Sequence, residues 1–132
     1  MKTTVHYVGG VGFEAESRGH KVRTDLEVSN GGTDAAMSPP ELLLASLGTC
    51  AAFYAMQYLN AHQMSAKNLV VEVNAEKAKN PARVGTFRID VHGPEGVNPE
   101  GLKRAVEKCL VHNTLMHTPA IEVVVASASV AV

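Results

Sequence analysis

Ser38–Leu59 reads SPPELLLASLGTCAAFYAMQYL, and past Glu41 it carries no charged residue. Ser38 at the N-cap, Pro39 at the first helical position and Glu41 three residues after the cap spell a capping box, which predicts a helix running to about Ala61. That helix is apolar on every face, so every face must be covered. In a chain of 132 residues, one small sheet and one further helix leave part of it wet. The simplest remaining cover is a second copy of the chain, so a symmetric homodimer with this helix near its interface is expected.

The same stretch is long enough to cross a bilayer, since Leu42 to Ala66 contains no Asp, Glu, Lys or Arg. Ser46, Gly48, Thr49, Gln57, Asn60, His62 and Gln63 dilute it, and no second span exists, so a helix buried within protein accounts for it better. The length fits one domain, residues 1–132, and 45% hydrophobic residues supply a core. A net charge of −1 with interspersed signs favours neither nucleic acid nor an acidic membrane as partner. MKTTVHYVGG at the N-terminus has no apolar signal core, so a cytoplasmic location is expected. There, two cysteines are reduced, buried or redox-active more often than bridged for structure.

Outward from the helix, Val5 and Tyr7, then Val11, Phe13 and Ala15, alternate with polar residues on either side of Gly9-Gly10. Ser17 to His20 reads as a turn before a third strand carrying Val22, Leu26 and Val28. Beyond the helix, Leu69, Val71, Val73 and Ala75 alternate with polar residues, as do Phe87, Ile89 and Val91. The short return between these two runs predicts an antiparallel hairpin. Asn98 and Pro99 then start a second helix, whose stripe is Leu102, Ala105, Val106, Cys109 and Leu110. IEVVVASASV, from Ile121 to Val130, reads as a last strand. The order β-β-β-α-β-β-α-β argues an α+β fold with two helices against an antiparallel sheet.

Each predicted helix holds one cysteine, Cys50 and Cys109. Cys50 lies about 18 Å along its helix from the Ser38 cap, beyond reach of that helix's own dipole. A bland role as core filler suits any buried cysteine. A reducible pair is also sterically open, because the small residues around Cys50 let helix backbones approach. Cys109-x-x-His112 begins like a zinc motif but lacks companion ligands, so no metal is expected, and nothing calls for a cofactor. Glu41 reads first as a cap.

SPPELLLASLGTCAAFYAMQYL, followed by RAVEKCLVHNTL, resembles the osmotically inducible/organic hydroperoxide resistance (OsmC/Ohr) family over essentially the whole chain. The resemblance implies an intertwined homodimer of α+β subunits with two long helices in its core. It also implies a thiol peroxidase: Cys50 attacks an organic hydroperoxide, Cys109 resolves the sulfenic acid as a disulfide, and an external dithiol reduces the bridge. The family's glutamate falls at Pro40 here, with Glu41 one position on, and its arginine matches Arg18, with Arg23 behind it. A rival reading is a redox-sensing or small-molecule-binding protein with little turnover.

Overall fold

The computed structural model describes residues 1–127. It is α+β, with two separate antiparallel sheets and three α-helices. Strands β1 (Thr4–Gly9), β2 (Gly12–Ser17) and β3 (His20–Thr24) form a meander. Val5 pairs with Ala15, and Tyr7 pairs with Phe13, their ring centroids 5.5 Å apart. Arg18 and Gly19 both take positive φ, which suits the β2–β3 turn to the right-handed twist of its strands. The third strand stops at Thr24, short of the expected Leu26 and Val28, because Asp25 ties the chain into a loop. Its carboxylate accepts from the N–H groups of Thr33 and Ala35 and from the Thr33 hydroxyl, at 3.2, 3.0 and 2.7 Å.

Helix α1 (Pro39–Ala61) has the bounds its capping box announces. The Glu41 N–H donates to Ser38 Oγ at 3.4 Å, and the Ser38 N–H donates to Glu41 Oε1 at 3.0 Å. Its buried residues, Leu47, Ala51, Ala55 and Leu59, repeat every fourth position as one stripe. Strands β4 (Val70–Ala78) and β5 (Arg83–His92) pair with Val71 opposite Val91 and Val73 opposite Ile89. α1 lies on β4, and at Gly48 it comes so close that a Cβ there would meet Val73 at 3.0 Å. α2 (Pro99–Val106), capped by Asn98 Oδ1 accepting the Gly101 N–H at 3.1 Å, also packs against α1. Ala51, Ala55, Leu102 and Val106 form the core, walled by Tyr58, Leu69, Val71, Ile89, Val91 and Val97.

Two expectations are corrected. The second helix is not continuous: it ends at Val106, and a separate helix α3 (Leu110–Met116) follows. The N–H groups of Lys108 and Cys109 bond three residues back, to Ala105 and Val106, tightening the last turn. Cys109 then takes an extended conformation, φ −55° and ψ 132°, and becomes the N-cap of α3. The expected stripe divides accordingly: Leu102, Val106 and Cys109 are buried, whereas Leu110 is exposed. The expected last strand is not formed over residues 121–127, and Val123 is 81% exposed. A strand needs a neighbour to take its hydrogen bonds, and this segment pairs with none of the described strands; the remainder of the expected strand, 128–130, lies outside the described residues.

The meander is joined to the remainder of the chain by little more than the loop after Thr24, and it contributes nothing to the core. Tyr7 is 64% exposed, and Val5, Phe13 and Val22 are also open. α1 is long and apolar enough to cross a membrane by length and composition, and only 22% of its apolar window is buried within the chain. Its capped start and its packing on β4 and α2 are those of a core helix with one side still uncovered.

Candidate active site

The break in the second helix builds the site. α3 starts against α1, and its first N–H groups meet the two cysteine sulfurs. The His112 N–H donates to Cys109 Sγ at 3.4 Å. The N–H groups of Val111 and Leu110 and the Cys109 thiol lie where they favour the Cys50 thiolate, and the Val111 N–H faces Cys109 as well. Both cysteines are free thiols, Cys50 half-buried and Cys109 0% exposed.

These contacts divide the chemistry between them. Burial pushes the Cys50 thiol up, but the hydrogen bonds from Cys109, Val111 and Leu110 outweigh it and leave Cys50 below the ordinary thiol value. For Cys109, burial and the bond it donates to Cys50 both push upward, and Cys109 stays the thiol of the pair. A thiolate is the nucleophile and a neutral thiol the proton-bearing partner. One reactive and one waiting sulfur is what two-step disulfide chemistry requires.

The other expected residues lie elsewhere. Glu41 sits nine positions before Cys50, about 13 Å along the axis at 1.5 Å per residue. Its carboxylate is occupied by the N–H and hydroxyl of Ser38, which hold it below the usual carboxylate range. Arg18 is at the tip of the β2–β3 turn and Arg23 is in β3. Within one chain neither comes to Cys50, and among the described residues no cation contributes to its ionisation. His112 reaches the pair through its backbone and not its imidazole, and no three potential metal ligands converge among the described residues.

Two hollows are lined by neighbours of the thiols in the chain, though by neither cysteine itself. One, about 500 Å³, is lined by Tyr54, one turn past Cys50, and by Lys108, Leu110 and His117. The other, about 610 Å³, is an apolar groove between β5 and α2, with Phe87, Ile89, Leu102 and Val106 on its walls and His112 at its edge.

Two features escape a reading by residue type. Cys is not a customary N-cap, so nothing in EKCLVHN marks a helix start. Asp25 precedes the turn formers SNGGTDAAM without a spacing that names its partners, yet their hydrogen bonds, that of Ala35 foremost, lower its pKa to about 2. Gly32 within that loop is required, because a Cβ there would lie 2.8 Å from the Leu26 nitrogen and closer still to its carbonyl.

Residues 31–124 match the family model described as OsmC-like protein. Among curated proteins, none matches the chain in sequence. An OsmC-like protein from Mycoplasma pneumoniae has a similar fold, with a TM-score of 0.69 at 19% identity over 89% of this chain and 87% of that one. An organic hydroperoxide resistance protein OsmC from Legionella pneumophila gives 0.60 at 20% identity, over 86% and 87%. An OsmC-like protein of unknown function from Vibrio cholerae gives 0.68 at 14% identity, over 86% and 91%. These similarities establish the fold, and the family match across the thiol-bearing helices places the chain in the OsmC-like family.

Proposed function

We propose that the protein is a thiol-dependent peroxidase that reduces organic hydroperoxides. The observation that carries this reading is the convergence of Cys109 and the α3 N–H groups on Cys50, which makes one thiol acidic beside a second that stays protonated. The Cys50 thiolate attacks the hydroperoxide and becomes a sulfenic acid as the alcohol leaves; Cys109 condenses with it, releasing water and stopping over-oxidation. The apolar groove that ends at His112 suits a substrate with a greasy tail better than hydrogen peroxide. An external dithiol then returns the disulfide to two thiols, in a cytoplasmic setting that keeps them reduced.

The working unit in this reading is a homodimer, whose partner covers the open side of α1 and the apolar face of the meander. Steady-state consumption of cumene hydroperoxide by the wild type, Cys50→Ser and Cys109→Ser tests it. Cys50→Ser should lose all activity, and Cys109→Ser should react once and then over-oxidise. Undiminished turnover by Cys50→Ser would sink the mechanism. A redox-sensing or small-molecule-binding role with little turnover is the second reading, favoured by the complete burial of Cys109, which slows reduction. It predicts one stoichiometric oxidation and no sustained consumption with dithiothreitol present.

A further inference from the structure

α3 is fixed in a way that its length does not explain. It has seven residues, none of them buried, and so short a helix is unstable in water by itself. What holds its start is sulfur. Of the orphan donors at its N-terminus, the His112 N–H ends on Cys109 at 3.4 Å, and those of Val111 and Leu110 face the two sulfurs. Meanwhile Cys109, at its N-cap, is buried, so no reductant reaches that sulfur while α3 stays in place.

We infer that α3 is a redox-gated lid over Cys109: closing the Cys50–Cys109 disulfide takes away the helix's N-terminal acceptors, frays it, and opens the buried sulfur to a dithiol. The inference rests on the peroxidase reading only for its natural oxidant. In that step the Cys50 thiolate takes the terminal oxygen of the hydroperoxide, the O–O bond breaks, and the alkoxide gains a proton and leaves as alcohol. The Cys109 sulfur then displaces hydroxide from Cys50, and the thiol proton leaves with it as water. Two thiols are oxidised by two electrons, and one hydroperoxide is reduced.

The bridged sulfurs carry no charge and accept hydrogen bonds poorly. Bonding to Cys50 also turns Cys109 Sγ away from the His112 N–H, because a disulfide has its own required dihedral geometry. With its caps gone, a seven-residue helix keeps only its packing on α1, in which none of its residues is fully buried. Attack by an external thiolate on the uncovered sulfur gives a mixed disulfide. The reductant's second thiol then releases it, supplying the two electrons and two protons that restore both cysteines.

Amide hydrogen exchange on the full chain tests the lid, comparing the reduced protein with the disulfide form made by diamide and verified by loss of two hydrogens in mass. The amides of residues 110–116 should exchange at least about tenfold faster in the disulfide form, while those of α1, β4 and β5 keep their rates. Cys109→Ser keeps an oxygen cap and cannot form the bond, so its α3 should exchange at one slow rate with or without diamide. A disulfide form whose α3 exchanges as slowly as the reduced form overturns the lid. So does acceleration spread evenly over the molecule, or failure of diamide to close the bridge. Because diamide replaces the hydroperoxide, a protein inert to peroxide would sink the peroxidase reading and leave this test standing.

Discussion

Cys50 and Cys109 differ in the sense of the bond between them, and that difference is measurable. Each sulfur faces backbone N–H groups, Leu110 and Val111 for Cys50, His112 and Val111 for Cys109, but the thiol proton between the sulfurs favours the Cys50 thiolate and opposes that of Cys109. Alkylation by iodoacetamide across pH should therefore show Cys50 titrating below the ordinary thiol value of about 8.5, with the buried Cys109 unreactive in the folded protein. Cys109→Ala removes one donor and should move the Cys50 midpoint upward, while Cys109→Ser, which keeps a donor, should move it less. An unchanged midpoint in both variants would mean that Cys109 does not set the acidity of Cys50.

Asp25 supplies a second residue-level test, with the sign fixed by its hydrogen bonds. Its carboxyl titrates at about 2, depressed from 3.8 chiefly by the Ala35 N–H and the Thr33 hydroxyl. A depressed folded pKa gives stability that is full above the unfolded value and is lost as pH falls through about 4 towards 2. Acid unfolding followed by circular dichroism should thus steepen in that window, and Asp25→Asn should flatten the slope there. An identical acid profile in the variant would refute the assignment.

At the scale of elements, what is legible in the sequence is what local chemistry alone decides. Ser38, Pro39 and Glu41 close their hydrogen bonds within one turn, so the start of α1 can be read directly, as can that of α2 from Asn98 and Pro99. Alternating residues place β4 and β5 in register for the same reason. The break at Glu107–Cys109 is different. Its helical periodicity continues unbroken, and the tight turn that ends α2 leads into a cysteine N-cap that residue type does not announce. The site was therefore half legible: the two cysteines by type, and the donors that distinguish them not at all.

Ser38→Ala should cost about 1 kcal/mol in urea denaturation, the usual worth of an N-cap. Gly101→Val tests the α1–α2 contact more severely. A Cβ at Gly101 would lie 2.9 Å from Tyr58 Cζ, and Tyr58 is stacked on His62 with ring centroids 4.1 Å apart, so it has little room to yield. Overpacking of this kind costs about 1–3 kcal/mol, and a variant as stable as wild type would show that the two helices are free to separate.

At the scale of the whole molecule, two unfinished surfaces face the same question. The meander leaves Val5, Tyr7, Phe13 and Val22 open, and α1 leaves Phe53 48% exposed. A homodimer that covers both should bury more than about 2,000 Å², as obligate interfaces do, and sedimentation at micromolar concentration should find no folded monomer. The same assembly bears on the missing cation. Within one chain Arg18 does not reach Cys50, so Arg18 can assist the thiolate only from across an interface between two copies. Arg18→Ala should then slow Cys50 oxidation by about tenfold, the worth of one pKa unit in thiolate, while Arg23→Ala serves as the control. Mixed dimers decide the direction of supply. Pairing a Cys50→Ser chain with an Arg18→Ala chain leaves one site with an intact Cys50 and an Arg18 from across the interface, so about half the wild-type rate should return. If the arginine acted within its own chain, that pairing would leave no complete site and the rate would fall to about half the Arg18→Ala level. If Arg18→Ala alone has no effect, the α3 N–H groups and Cys109 suffice to activate Cys50, and the arginine has no part in the chemistry.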